Sequence, residues 1–187
     1  MPRFEFAILG AGAMGSILGA HLAHAGHSVA MLARGRRAEQ VRNEGLRISG
    51  LTRFSTPIEV IDDPARLRET QVLIVATKAI GTAESLKPLA SAKIGHAFSV
   101  QNGVLKNDLL EAAFGTEHVL GALANMSGEL KPSGEVLFTR NVSLQIGALR
   151  GGVPDAMRTV AQTIDASGVR SAAVPNVAAQ EWSKFAA

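Results

Sequence analysis

The sequence predicts an α/β fold, a mostly parallel, doubly wound sheet with helices on both faces and an antiparallel edge. Three observations predict it. Apolar runs of strand length alternate with helical patterns along most of the 187 residues, as a parallel sheet covered on both sides requires. The first run, Phe4 to Leu9, leads straight into Gly10-Ala11-Gly12-Ala13-Met14-Gly15, a strand entering a helix through a G-x-G-x-x-G turn. Late in the chain two apolar runs meet at Arg140-Asn141, a hairpin-like addition that supplies the antiparallel edge.

Each element follows from its residues. Phe4 to Leu9 is broken only by Glu5 and reads as a buried strand. Met14, Ile17, Leu18, Leu22 and Ala25 recur at helical spacing, and Gly26 sits where a C-terminal glycine ends a helix. Val29 to Ala33 is the second strand, so a βαβ unit closes within about 30 residues. A short helix is expected over Arg37 to Asn43, ended by Gly45. Leu46 to Ile48 and Ile58 to Val60 read as a weaker strand pair that interrupts the alternation. Val72 to Ala76 is a clean strand, with a helix near Thr82 to Leu89 after it. Strand His96 to Val100, helix Val104 to Phe114 and strand Val119 to Leu123 continue the rhythm. Glu135 to Thr139 and Val142 to Ile146 are the hairpin strands. Gly151-Gly152-Val153-Pro154 is a loop, Asp155 to Ala166 a helix capped by Gly168, and Val169 to Val174 a last strand. Residues 1–174 thus form one domain. From 175 to 187 a helical pattern carries Trp182 and Phe185 and needs a surface to pack on. It either folds back on the sheet or opens a further domain, and the apolar ending Phe185-Ala186-Ala187 reads as a cut rather than a natural terminus.

Composition narrows the function. Nineteen Lys and Arg against sixteen Asp and Glu give a net charge of +3, dispersed except at Arg34, Arg36 and Arg37, so nucleic acid is not implied. Cysteine is absent, which excludes disulfides and thiolate metal sites and fits a reducing cytosol. No 18-residue apolar run or signal peptide is present, so no membrane is implied. His21, His24 and His27 have no carboxylate partner nearby in sequence and read as a polar helix face rather than a metal site.

Glycine-rich turns also close ordinary strand–helix junctions, but within a complete βαβ frame this one reads as a cradle for a dinucleotide diphosphate, as in a Rossmann-type domain. Gly10 permits the tight turn, Gly12 lets backbone approach the diphosphate, and Gly15 lets helix pack on strand. The helix start offers free N–H groups and a positive dipole end. About 20 residues on, an acidic residue would select NAD through its ribose hydroxyl, and an arginine would accept the 2′-phosphate of NADP. Here the chain reads Ala33-Arg34-Gly35-Arg36-Arg37, with no carboxylate before Glu39. This favours NADP, with Arg34 first and Arg37 second as the phosphate ligand. Lys78 follows a buried strand, where ligands sit in such sheets, or is an exposed lysine at a helix start. Asn102 follows the next strand and would orient a ligand through its amide, although Asn-Gly is also ordinary turn chemistry.

Gly10 to Gly15, Arg34, Lys78, Gln101-Asn102-Gly103, Gly134-Glu135-Val136, Ile146-Gly147 and Glu181-Trp182-Ser183-Lys184 together resemble the ketopantoate reductases, over essentially the whole chain. The resemblance implies NADPH-dependent reduction of 2-dehydropantoate to pantoate, in pantothenate and coenzyme A synthesis. It implies that Gly10, Ala11, Gly12, Ala13, Met14 and Gly15 hold the diphosphate, that Arg34 holds the 2′-phosphate, and that Lys78 and Asn102 line the nicotinamide and substrate pocket. Lys184, on its own a solvated helix lysine, becomes the general acid. The family continues into a helical substrate domain, of which residues 175–187 would be the first helix. The segment alone is therefore expected to bind NADPH and turn over poorly. Another 2-oxoacid as substrate, or a non-catalytic NADPH-binding module or sensor, are the alternatives. A homodimer is one option for its assembly.

Overall fold

The structure, a computed structural model, describes residues 4–103, 105–150 and 152–186, with Phe185 and Ala186 described by backbone alone. Expectations that fall on Val104, Gly151, the Phe185 side chain and Ala187 lie outside the described residues. The first half of the chain forms β1 (Phe4–Leu9), α1 (Ala13–His24), β2 (Val29–Leu32), α2 (Gly35–Glu44), β3 (Leu46–Gly50), β4 (Phe54–Thr56), β5 (Glu59–Ile61), β6 (Glu69–Val75) and α3 (Thr82–Leu86). The second half forms β7 (Lys93–Ser99), α4 (Lys106–Phe114), β8 (Leu120–Leu130), β9 (Val136–Ala148), α5 (Asp155–Ala166), β10 (Ser171–Ala173) and α6 (Val177–Ala186).

Period-two alternation in β1 decides the layers. Phe6 and Ile8 belong to one buried cluster, with α1 and a second sheet. Ala7 and Leu9 belong to another, with Leu86, Leu89 and Leu110 on the far side. The central sheet has the order β5-β2-β1-β6-β7, and all its pairings are parallel. The antiparallel addition is larger than a hairpin edge. It is a second five-stranded sheet, β10-β9-β3-β4 with β8 on β9, joined to the first by a bridge between Ala97 and Val119.

Two local expectations are corrected. Leu46 to Ile48 and Ile58 to Val60 do not pair with each other. β3 pairs with β4 and β9, whereas β5 extends the central sheet beside β2. The expected turn at Arg140-Asn141 is instead the middle of one long strand, β9, paired antiparallel along β8. The real turn lies at Lys131 to Glu135, closed by Gly134 N donating to Lys131 O at 2.9 Å and Lys131 N donating to Glu135 O at 2.9 Å. Asn141 still makes turn-like bonds, but across the fold. Its amide donates to Gly168 O and its carbonyl accepts from Arg170 N, each at 3.0 Å.

α1 is sandwiched between the sheets, and every residue from Gly15 to Leu22 is buried. An element covered all round has no polar face to offer, so His21 points inward rather than to water. Its ring meets Phe54 and Phe138 edge-on. Nδ1 lies 2.8 Å from Ile17 O, an acceptor only, so Nδ1 carries the hydrogen. Nε2 then accepts from Thr52 Oγ1 at 3.2 Å. The neutral ring can make both bonds. Burial, aided by His24, pushes the His21 pKa down, against the Ile17 carbonyl, which pulls it up.

A depressed imidazole pKa makes the folded state more stable at higher pH. The contribution is full above the unfolded value of about 6.5 and is lost as pH falls through the lower folded value. His21→Leu should therefore lose less melting temperature than the parent between about pH 7 and about pH 5. Parallel curves for the two proteins in a thermal scan would refute this.

Candidate functional site

The glycine turn has the shape its spacing predicts. Gly10 has φ +110°, and a Cβ there would lie 2.9 Å from Thr77 N. A Cβ on Gly15 would lie 1.9 Å from Gly10 O and 3.1 Å from Ala76 Cβ, so helix and strand touch there. A Cβ on Gly12 would meet nothing within 4 Å, so the cradle is open on that side. Among the described residues no side chain caps α1, which leaves its first N–H groups without a side-chain acceptor there. The cleft beside it holds about 330 Å³ and is lined by the turn, by Ala33, Arg34 and Arg37, and by Pro64, Thr77 and Leu130.

The two expected phosphate ligands differ sharply. Arg34 is exposed, has extended backbone before α2, and makes no hydrogen bond or ion pair among the described residues. Arg37 is half-buried and its fork is engaged by protein. Nε donates to Ala11 O, one terminal nitrogen to Gln40 Oε1 and Gly134 O, and the other to Ser16 Oγ, all at 3.0 Å.

The loops after β6 and β7 are tied together by Gln101, which is buried. Its amide nitrogen reaches Thr77 O at 2.8 Å, Thr77 Oγ1 at 2.9 Å, Lys78 O at 3.2 Å and Thr82 Oγ1 at 2.8 Å. This fixes the backbone that carries Lys78 and Asn102. Both side chains are exposed at the carboxyl edge of the central sheet, where open α/β sheets bind ligands.

α6 brings the third candidate to this edge. Val177, Glu181 and Lys184 recur at i, i+4 and i+7, one face of a helix. Val177 is buried against Gly121 and Gly147, paired in register across β8 and β9, where an added Cβ would approach its side chain to 2.5 and 2.6 Å. Glu181 is also buried. One carboxylate oxygen pairs with Lys106 Nζ at 3.0 Å and accepts from Ala122 N at 3.1 Å. The other accepts from Asn107 Nδ2 at 2.7 Å. Lys106 Nζ also donates to Ser99 O at 3.1 Å and to Ala122 O. Burial pushes the Lys106 pKa down while the Glu181 charge pulls it up. One turn further on, Lys184 Nζ donates to Asn102 Oδ1 at 3.3 Å and to Ala124 O at 3.0 Å.

Lys184 and Asn102, 82 positions apart, are therefore brought together, with Lys78 on the neighbouring loop. Sequence reasoning missed Gln101 as a hub and both members of the Lys106–Glu181 pair. The i, i+4, i+7 recurrence in α6 was the available signal for Glu181, and nothing local marks Lys106. A larger cleft of about 860 Å³ opens at the opposite end of β6 and β7, lined by His96 and His118 among others. None of the expected site residues reaches it. Among the described residues, no group of three or more His, Asp or Glu is placed to hold a metal ion, and no helix is long and apolar enough to cross a membrane.

The parallel central sheet with helices on both faces defines an α/β fold of Rossmann type. Residues 6–151 match the ketopantoate reductase PanE/ApbA family. The chain belongs to that family. It is 32% identical over 177 residues to a 2-dehydropantoate 2-reductase from Archaeoglobus fulgidus, covering 95% of this chain and 58% of that protein. Among solved structures it resembles 2-dehydropantoate 2-reductase from Methylococcus capsulatus, with TM-score 0.81 and 26% identity over 98% of this chain and 60% of the other. A D-mandelate dehydrogenase solved with NADH and anilino(oxo)acetate shares the fold at TM-score 0.85, 21% identity and coverage of 98% and 60%. The chain spans about 58% of the length of the three curated 2-dehydropantoate 2-reductases it matches.

Removing one partner of a buried ion pair strands the other. Lys106→Met should lower unfolding free energy by about 3–5 kcal/mol in a urea titration, and Lys106→Met/Glu181→Leu by clearly less. An equal or larger loss in the double variant would show that the pair's mutual charge is not what holds α6.

Proposed function

We propose that this chain is the cofactor-binding part of an NADPH-dependent reductase that converts 2-dehydropantoate to pantoate, a cytosolic step towards pantothenate and coenzyme A. The observation that carries the reading is the meeting of Lys184 Nζ with Asn102 Oδ1 at 3.3 Å, at the sheet edge that also holds the glycine cradle. The residues present fit the cofactor. Gly12 leaves the cradle open, and among the described residues α1 has no side-chain cap and the Arg34 guanidinium beside the cleft has no partner. When bound, NADPH supplies the hydride that reaches the ketone carbon.

The chain's own residues bind, orient and handle the proton. The backbone from Gly10 to Gly15, through Ala11, Gly12, Ala13 and Met14, receives the diphosphate. Arg34 pairs with the 2′-phosphate, and Arg37 stands behind it in the same cleft. Lys78 and Asn102 border the nicotinamide half. Lys184 has three N–H donors. Two are engaged by Asn102 and Ala124, and the third is left for the ketone oxygen. As negative charge develops there, the ammonium stabilises it and yields its proton. The substrate's own specificity contacts involve the further length that the relatives possess.

Calorimetry separates the parts of this reading. Arg34→Ala should weaken NADPH by about 10–100-fold and leave NADH nearly unchanged; equal losses would remove Arg34 from the 2′-phosphate. In the protein that carries this segment at the length of its relatives, Lys184→Ala should cut kcat for 2-dehydropantoate by about 10²–10⁴ with NADPH affinity preserved. Full turnover by that variant, or faster turnover of another 2-oxoacid by the parent, would refute the assignment.

A further inference from the structure

The guanidinium of Arg37 does something the glycine motif does not account for. It donates to Ala11 O from Nε and to Ser16 Oγ from a terminal nitrogen, and Ser16 Oγ donates in turn to Ala11 O at 3.2 Å. The Ala11 carbonyl is thus held by two donors on the protein side. A trans peptide is planar, with its N–H pointing opposite to its C=O. Holding Ala11 O therefore fixes the direction of the Gly12 N–H, which makes no hydrogen bond among the described residues, and Gly12 itself lines the cleft.

The other arm of Arg37 reaches the second sheet. It donates to Gly134 O, in the turn between β8 and β9. Gln40 ties the same turn down, accepting from Arg37 and donating to Ser133 O at 3.0 Å, and Arg47 also donates to Ser133 O. Leu130, just before that turn, is part of the cleft wall. One side chain thus links the diphosphate turn, α2 and the outer wall of the cleft.

We propose that Arg37 is a positioning residue for dinucleotide binding: it aims the Gly12 N–H into the cleft and locks the β8–β9 turn as the cleft's outer wall, without touching the cofactor's 2′-phosphate. The proposal rests on the cofactor reading given above. It assigns the two arginines different work: Arg34 discriminates between the carriers, and Arg37 serves both equally. Geometry rather than charge is what Arg37 contributes, because a lysine ammonium cannot span acceptors that the planar fork reaches together.

The test uses Arg37→Lys and Arg37→Ala, with Ser16→Ala as a milder variant that removes one of the two donors on Ala11 O. Affinities for NADPH and NADH are measured at low temperature, where circular dichroism shows the folded state, so that a mere loss of stability leaves them unchanged. Both Arg37 variants should weaken both carriers by a similar factor of about ten, the worth of one well-placed hydrogen bond, and leave their ratio as in the parent. Ser16→Ala should do the same to a smaller extent. In the ligand-free proteins the Gly12 and Gly134 amide resonances should shift in Arg37→Lys as in Arg37→Ala. Retained affinity in Arg37→Lys, or a loss confined to NADPH, would make Arg37 a phosphate ligand and overturn the proposal. Unmoved Gly12 and Gly134 resonances would overturn it as well. A parent protein that binds neither carrier would sink the cofactor reading, and the amide resonances would then still decide whether the latch exists.

Discussion

The confinement of α1 between two sheets is the constraint on which the rest depends. A helix covered on all sides can be held only by matching its small residues to close neighbours, and α1 supplies Gly15, Ser16, Gly19 and Ala20 for this. The contact between Gly15 and the Gly10 carbonyl is so close that no Cβ fits. Gly19 is similarly pressed, with an added Cβ 2.9 Å from Met31 Cε. Packing at this density transmits position. The start of α1 therefore cannot tilt away from the end of β1, and its N–H groups stay aimed at the cleft. The same confinement explains why His21 is neutral and inward, since a charged ring there would have to be desolvated.

A second layer of control comes from buried polar groups at the carboxyl edge of the central sheet. Exposed loops are ordinarily mobile, yet the two that carry Lys78 and Asn102 share Gln101 as a common tie. α6 would otherwise be held mainly by Val177 in its glycine socket. The Lys106–Glu181 pair adds specificity of register rather than simple adhesion. A carboxylate with three partners at fixed places tolerates no rotation of the helix, and Lys184, one turn on, inherits that setting. The charges also interact: Lys184 opposes the protonated form of Lys106, while Glu181 favours it. Removing Glu181 would leave two ammonium groups at one helix face with no anion between them.

What could be read from the sequence was whatever is local. The strand–turn–helix at Phe4 to Gly15, the alternation that gives the parallel sheet, and the polarity of the chain after β2 each lie within one short window. The second sheet was only partly legible because its pairings span long separations. β3 meets β9 across almost ninety positions, from Ile48 to Val136. Arg140-Asn141 misled because β9 lies opposite irregular register there, with shifts near Asn125 and Ser127 of β8. The polar pair sits at a distortion in a strand, and distortions and turns favour the same residues. In the site, Asn102 and Lys78 could be placed from strand ends alone. The meeting of Asn102 with Lys184, and the burial of Lys106 and Glu181, arise only when α6 docks.

Arg34 and Arg37, three positions apart, stand in different environments, and the roles proposed for them follow from that difference. Arg34 precedes α2 with φ −124° and ψ 160°, so its side chain leaves the helix before the helical rows begin. Arg37 is in the first turn and must follow those rows, which carry it against α1. Cofactor discrimination needs a guanidinium whose donors are not already satisfied, because a saturated fork would have to break protein bonds to bind phosphate. A bound diphosphate, by contrast, needs backbone N–H groups that do not wander, and an engaged guanidinium is suited to restraining them. Exchanging the two arginines' environments would therefore spoil both properties. A free Arg37 would leave the Ala11 carbonyl to Ser16 alone, and an engaged Arg34 would leave the extra phosphate unpaired.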